Sequence, residues 1–322
     1  MTRPTEPRCD FPAREQPSAR RVMFLDYDWV DAVDVRVHGE ARDEFTRADG
    51  TTTIDHEASL DVETRDALIA SLTIVPEEFD VAPLIGQLLR QGFRSRVRPL
   101  YDVGKGGPLG LLLDDLPGAF IAAGYVLAMG RKIGPGPGMN DTDEMPRGFH
   151  QADLCSGWRS DGTMMIAIKA GQFLPFEPLA PVPERPSGVE WPARAIPVPG
   201  LRRHRRIDVV PRDDVWRVDA WFRDTYRSEE SECGALHEYT VHMTVDAADA
   251  TIREISAVPH ALPWAECPAA ADAVVQLVGS PIEGLRSSVP KTLRGIESCT
   301  HLTNELRELA DVPFLVDALR SA

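Results

Sequence analysis

The chain has 322 residues, of which 43% are hydrophobic and 26% are charged. This composition excludes a wholly disordered or collagen-like chain, and the length is sufficient for two domains. The 35 basic and 50 acidic residues leave a formal net charge of −15. Such a charge disfavours binding to nucleic acid or to an anionic membrane, because both are negatively charged.

The N-terminal residues, the apolar segments and the cysteines indicate the cellular compartment. Residues 1–21 are polar and lack the apolar segment of a signal peptide. The longest apolar stretch, residues 118–130, is shorter than the about 20 residues of a membrane-spanning helix. Five cysteines are an odd number, which is not the pattern of a disulfide framework. We therefore expect a cytoplasmic protein with reduced thiols, a small-molecule substrate, and no nucleic-acid or membrane partner; homo-oligomerisation stays open.

A proline-rich segment divides the chain. Residues 175–200 contain many prolines, which exclude a helix or a central strand because proline lacks an amide hydrogen. This segment predicts a surface linker between two units. The expected organisation is an N-terminal tail, a first unit, the linker and a second unit, at residues 1–20, 21–174, 175–200 and 201–322.

The two units show a weak internal repeat. Residues 42–45 resemble residues 223–226, so that Asp43 matches Asp224. Residues 58–76 align without gaps on residues 241–259. Because such matches keep the same order over about 80 residues, they predict an internal duplication and a pseudo-dimer of two related units.

The second unit carries a readable secondary-structure pattern. Residues 215–226 have strand composition, residues 237–245 alternate apolar with polar side chains, and residues 251–258 predict a third strand. Helices are predicted to begin at Cys267 and near Ser298. The fold class is therefore α+β, with a small, mostly antiparallel sheet packed by helices in each unit. In the first unit, residues 164–166 read as a strand.

A candidate site lies in the second unit. Cys267 and Cys299 each precede a predicted helix, where free amides and the helix dipole favour thiolate, and His301 follows Cys299 by two residues. The corresponding stretch of the first unit, residues 109–112, has neither a thiol nor an imidazole, so we expect its site to be degenerate. Together with His237, these residues predict one divalent ion, zinc or iron, since thiolate and imidazole suit both.

Two other interpretations of these residues stay open. A metal-free cysteine–histidine or acid–base site would use the same side chains without an ion. Alternatively, Cys267 and Cys299 are small buried hydrophobes, and His301 is a helix-surface residue paired with Glu305.

The second unit resembles a bacterial domain family of unknown function, number twenty-eight eighty-nine. The family pattern has a histidine opening the second strand, a cysteine before the first helix and a closing Cys-Thr-His-Leu. Here these are His237, Cys267 and residues 299–302. The resemblance covers about a third of the chain well and implies no reaction. A more distant similarity is to the iron–sulfur cluster scaffold fold, whose first cysteine is missing here.

The remaining candidate residues concern proton transfer and substrate binding. Asp224 and Tyr226 lie near a strand end and are candidate acid–base groups, although a strand-end salt bridge with Arg223 or Arg227 is the simpler interpretation. Arg203 and Arg206 are candidates for binding an anionic substrate group. We expect an enzyme of bacterial small-molecule metabolism, a metal-assisted lyase or hydrolase acting on a small organic acid or thioester. The alternative is a non-catalytic metal-binding scaffold or accessory protein.

Overall fold

One antiparallel sheet of nine strands runs through the computed structural model. The structure describes residues 3–321 except for 12, 32–33, 90–91, 131–151, 171–178 and 189–190. The strands are β1 (Ser18–Trp29), β2 (Val35–Thr46), β3 (Thr52–Arg65), β4 (Leu68–Val75), β5 (Ala180–Pro181), β6 (Gly200–Arg212), β7 (Val215–Arg227), β8 (Cys233–Asp246) and β9 (Ile252–Ala261).

Helices accompany each half of the sheet. They are α1 (Phe93–Val97), α2 (Pro108–Gly130), α3 (Thr163–Lys169), α4 (Ala269–Asp272), α5 (Leu285–Thr292), α6 (Thr300–Glu308) and α7 (Val312–Ser321). Among the described helices, none has the length and apolar character needed to cross a bilayer. Residues 164–166 belong to α3, so the predicted strand there is wrong.

The sheet consists of two meanders joined at its centre. Its order is β4-β3-β2-β1-β6-β7-β8, after which β5 and β9 both pair with β8. The pairing of β1 with β6 is antiparallel, with Met23 opposite Arg205. The expected combination of an antiparallel sheet with helices is confirmed, but the sheet is continuous where two small sheets were expected. Each half contributes a meander of four strands, whereas the sequence pattern predicts three.

The two faces of the sheet are covered differently. Helices α2, α6 and α7 pack on one face, where the large apolar clusters of both halves lie. The other face is covered by non-helical chain near the N-terminus and before β6. Phe11 packs edge-on against Trp221 at 5.0 Å between ring centroids, and Trp191 packs in the same way against Phe24. The helix-covered face holds the candidate site.

Candidate functional site

The centre of the site is an aspartate–histidine pair on adjacent strands. Asp224 of β7 lies directly opposite His237 of β8, just before a register shift between Asp224 and Thr225. Both side chains are buried, and His237 Nδ1 lies 3.1 Å from Asp224 Oδ2. Strand pairing therefore fixes the imidazole against the carboxylate on the helix-covered face.

A buried arginine on the neighbouring strand β6 fixes the position of Asp224. Arg203 of β6 donates from Nε and Nη2 to the two oxygens of Asp224, at 2.7 and 2.9 Å. Its Nη1 donates to Asp115 of α2 at 2.9 Å. Asp115 also accepts from Arg205, which contacts Glu305 of α6 as well. This clamp of charged groups comes from both halves of the chain and holds Asp224 in one orientation.

Helix α6 adds a second imidazole and a thiol. The rings of His301 and His237 are stacked, 3.5 Å apart between centroids and 18° from parallel. His301 Nδ1 lies 3.9 Å from Cys299 Sγ, and His301 Nε2 lies 4.0 Å from Asp224 Oδ2. His301 is thus buried between a thiol and a carboxylate, so the helix-surface interpretation with a Glu305 partner is wrong.

The group with closest donor atoms differs from the predicted ligand set. Donor atoms of Asp224, His237 and His301 all lie within 4.8 Å of one another. Within the described part of the chain, neither predicted cysteine places its thiol inside that limit for all three. The structure therefore brings the two predicted histidines together with Asp224, with Cys299 next to His301.

Cys267 lies at the border of the site with a third cysteine nearby. The Tyr239 hydroxyl donates to the Cys267 carbonyl at 3.4 Å. A β-carbon on Gly157 would be 2.8 Å from Cys267 Sγ, so only glycine allows this loop to approach so closely. In the same loop, the backbone of Ser156 donates to the Ser298 carbonyl at 2.8 Å, which brings Cys155 beside the start of α6.

The buried thiols are more basic than the sequence suggests. Burial raises the pKa of Cys267 well above its usual value, and the neighbouring Cys299 adds to the shift. Burial also raises the pKa of Cys299, although the amides of Leu302 and His301 act in the opposite direction. The expectation that helix starts favour thiolate is wrong in this protein, because loss of solvation outweighs the amides and the helix dipole.

The imidazoles are held in the neutral form. Burial lowers the pKa of His237 despite its contact with Asp224, and burial together with His237 lowers the pKa of His301 well below its usual value. Burial alone would raise the pKa of Asp224, but Arg203 and His237 more than offset this and lower it. The site thus presents two neutral imidazoles, the form that binds metal ions, beside an ionised carboxylate.

The other predicted residues lie in different surroundings. Both oxygens of Asp224 are engaged by Arg203, so the salt bridge is present with an arginine on a neighbouring strand. Tyr226 packs in the apolar cluster that includes Leu201. Arg203 and Arg206 lie on opposite faces of β6, since Arg206 stacks on Phe11 beneath the N-terminal segment. These two arginines therefore do not face a common ligand.

Four residues have contacts at the site that the sequence does not predict: Asp115, Cys155, Arg205 and Glu305. Asp115 lies about 90 residues before its partners Arg203 and Arg205. One pattern relates Asp115 to Glu305: residues 112–116 resemble residues 302–306, and the two acids lie at matching positions.

Comparison with known proteins gives a family for part of the chain. Residues 201–315, about a third of the protein, match the model of a family described as a protein of unknown function, DUF2889. This confirms the resemblance to that family for the second half. No curated protein and no solved structure matches the chain.

Proposed function

We propose that the protein is a metal-dependent enzyme whose centre is built on His237 and His301. The observation that carries this proposal is the pair of buried, stacked, neutral imidazoles, one of which has its Nδ1 against an arginine-clamped carboxylate. Histidines that bind metal ions usually donate their second ring nitrogen to a carboxylate, which fixes the tautomer. Asp224 then acts as an orienting group for His237, since Arg203 already engages both of its oxygens.

The donor set suits zinc or iron. His237, His301 and Cys299 would hold the ion, and we take Cys267 as the proposed fourth ligand. The ion would supply a Lewis acid that polarises a substrate carbonyl or activates water, consistent with a lyase or hydrolase acting on a small organic acid or thioester. Because thiols must lose their protons to bind metal, uptake would release protons. With four protein ligands the ion would be structural, so catalysis requires one ligand, for which we propose Cys267, to leave.

Metal analysis of the purified protein tests this proposal. We expect one tightly held equivalent in the wild type, and cobalt substitution should give a thiolate-to-cobalt absorption band. Cys299→Ser should weaken that band, since Cys267 would be the remaining thiolate, and should weaken metal binding by tenfold or more. Cys9→Ser is the matched control, because Cys9 is an exposed cysteine near the N-terminus. A stably folded wild type that takes up no cobalt into a thiolate site would refute the proposal.

A second candidate function uses no metal. His301 lies between Cys299 and Asp224, at 3.9 and 4.0 Å, in the order thiol, imidazole, carboxylate. That order is the one used by cysteine nucleophiles activated by a histidine. Turnover of small thioesters that survives chelation and is abolished in Cys299→Ser would favour this candidate. Bound metal without turnover of any thioester or organic acid would favour the non-catalytic scaffold.

We also propose that the two halves arose by duplication. In the first half, Arg21 donates from Nε and Nη2 to both oxygens of Asp43, at 2.6 and 2.8 Å, as Arg203 does to Asp224. His56 lies directly opposite Asp43 in β3, just as His237 lies opposite Asp224. This pairing equates His56 with His237, whereas the offset of the gapless alignment, extended two residues before residue 58, would equate it with Tyr239. The repeated pattern of strand, clamp and histidine supports a common origin.

A further inference from the structure

The buried centre is almost closed to solvent. His237, Cys267, Cys299 and His301 are each at most 7% exposed. A small molecule can therefore reach these side chains only if part of the surrounding chain moves. The sheet strand that carries His237 lies between β7 and β9, and α6 is tied to the arginine clamp through Glu305. Movement of either element would break buried ion pairs or strand pairing, so another part of the chain has to open.

A short segment of the first half lies against the thiol side of the centre. This segment, residues 152–170, contains α3 and is called the lid below. The Ser156 hydroxyl donates to the Cys267 carbonyl at 3.1 Å, and the Ser156 amide donates to the Ser298 carbonyl at 2.8 Å. The backbone at Gly157 lies directly on Cys267 Sγ, where a β-carbon would be 2.8 Å away. The lid therefore touches both the backbone and the thiol of Cys267.

Helix α3 depends on its contact with the second half. It has seven residues and no side-chain cap at Gly162, whereas isolated helices shorter than about 12 residues are not stable in water. Met164 and Met165 are buried, and Met164 belongs to the same apolar cluster as Cys267. Methionine packs adaptably, so this contact is easier to remake than one between branched side chains. Release of the lid would therefore be a local event that leaves the sheet intact.

One side chain of the second half fixes the start of α3. Glu266 Oε1 accepts hydrogen bonds from both the amide and the hydroxyl of Thr163, each at 2.7 Å. These contacts are exposed, and Glu266 directly precedes Cys267 in the chain. The contact between Glu266 and Thr163 thus joins the outer edge of the lid to the segment that carries the thiol.

We propose that residues 152–170 form a hinged lid over the buried centre and that the contact of Glu266 with Thr163 is its latch. In the closed state, Gly157 leaves the Cys267 side chain no room on that side. Opening exposes the thiol and lets it move away from the centre, which is the step that the proposed function requires of Cys267. The inference rests on the proposed function for this purpose alone, since the movement itself needs no metal ion.

Site-resolved labelling of the full chain with iodoacetamide tests the latch. A chelator is present throughout, so that no bound ion protects the thiols. In wild type, the exposed Cys9 should be labelled rapidly and Cys267 slowly. Glu266→Ala removes the acceptor of both hydrogen bonds and should accelerate labelling of Cys267 by about threefold or more, with Cys9 unchanged. Glu283→Ala is the matched control, because Glu283 is an exposed acid of the same half.

Hydrogen–deuterium exchange separates lid opening from general loss of stability. In wild type, the amides of α3 should exchange faster than those of α6, and Glu266→Ala should accelerate exchange in α3 alone. Unchanged labelling of Cys267 in Glu266→Ala, or an equal acceleration in α3 and α6, would overturn the proposal. Neither measurement requires a bound ion, so failure of the metal proposal would leave both results as expected.

Discussion

At the scale of single residues, the helix-covered face is unusual for its buried charges. Arg203, Arg205, Asp115, Asp224 and Glu305 are all almost completely inaccessible to solvent. Two arginines are balanced by two aspartates, and Glu305 is the additional acid. Buried charges persist only where partners satisfy them, so the fifth group has to titrate or to bind a further cation.

The titration of Glu305 predicts a measurable pH dependence. Burial raises its pKa to about 7, although Arg205 lowers it in part. A carboxyl group whose folded pKa lies above its unfolded value costs nothing while both states are protonated, and destabilises the fold as the pH rises between the two values. The penalty should therefore develop between about pH 4.5 and pH 7 and remain above that.

Glu305→Gln should remove this penalty. Relative to wild type, its free energy of unfolding should improve by about 2–3 kcal/mol between about pH 5 and pH 8. Urea denaturation at both pH values measures the change. Glu57→Gln is the control, since Glu57 is exposed on β3. A constant difference between wild type and Glu305→Gln across this range would contradict the assignment.

At the scale of elements, helix α2 crosses directly over the clamp. A β-carbon on Gly118 would lie 2.5 Å from Asn304 Nδ2 and 2.8 Å from Arg203 Nη1. Both atoms belong to buried residues, so neither can withdraw easily. The glycine is therefore required by close approach of the helix to the sheet, despite its low helix propensity.

Replacement of this glycine should destabilise the protein. Gly118→Ala should cost about 1–3 kcal/mol by overpacking, more than the propensity of alanine returns. Gly110→Ala in the same helix is the control, because its β-carbon would meet its neighbours at 3.4 Å or more. Thermal unfolding compares the two. Equal melting temperatures for both variants would show that α2 can move away from the clamp.

Some strands of the sheet follow from local sequence patterns, and others depend on partners that lie far away in the sequence. Strands β7, β8 and β9 were predicted, β8 from its alternating apolar and polar side chains and the other two from their strand composition. Strand β6 was not predicted, because residues 202–206 are arginines and a histidine without any apolar alternation, yet all five are buried. Burial of Arg203 and Arg205 depends on Asp115 and Glu305, partners on helices about 90–100 residues away. No local pattern reports such pairing.

The candidate site was predictable in part for a similar reason. His237, Cys299 and His301 are near one another, as the helix and strand starts predict. Asp224 was recognised as a candidate, but its role as a partner of His237 depends on strand register. The sequence does not reveal that His56 is equivalent to His237. The turn after β8 is longer than the turn after β3, so an alignment without gaps that matches β4 to β9 shifts β3 out of register with β8.

In the complete structure, buried ion pairs join the two halves. Arg203 of the second half reaches Asp115 of the first, and Arg21 of the first half reaches Asp311 of the second. Both contacts are buried ion pairs. Together with the β1–β6 pairing, they make it difficult for either half to unfold alone.

A clamp variant tests this dependence. Asp115→Asn should lower the free energy of unfolding by about 3–5 kcal/mol, because Arg203 and Arg205 are left buried with one partner fewer. Calorimetry should still show a single cooperative transition. Asp161→Asn is the control, since it breaks only an exposed pair with Arg159 and should leave the free energy of unfolding almost unchanged. Two separate transitions in the wild type would contradict the interlocked arrangement.

The antiparallel junction of β1 with β6 also determines where backbone amides are best protected. If the two halves were independent domains, hydrogen–deuterium exchange would be slowest in the core of each domain and fast in the chain between them. Here the slowest amides should be those of residues 19–28 and 200–209, at the boundary between the halves, and protection should decline outward toward β4 and β9. The backbone hydrogen bonds that open least often should thus be those between β1 and β6, where the two halves meet.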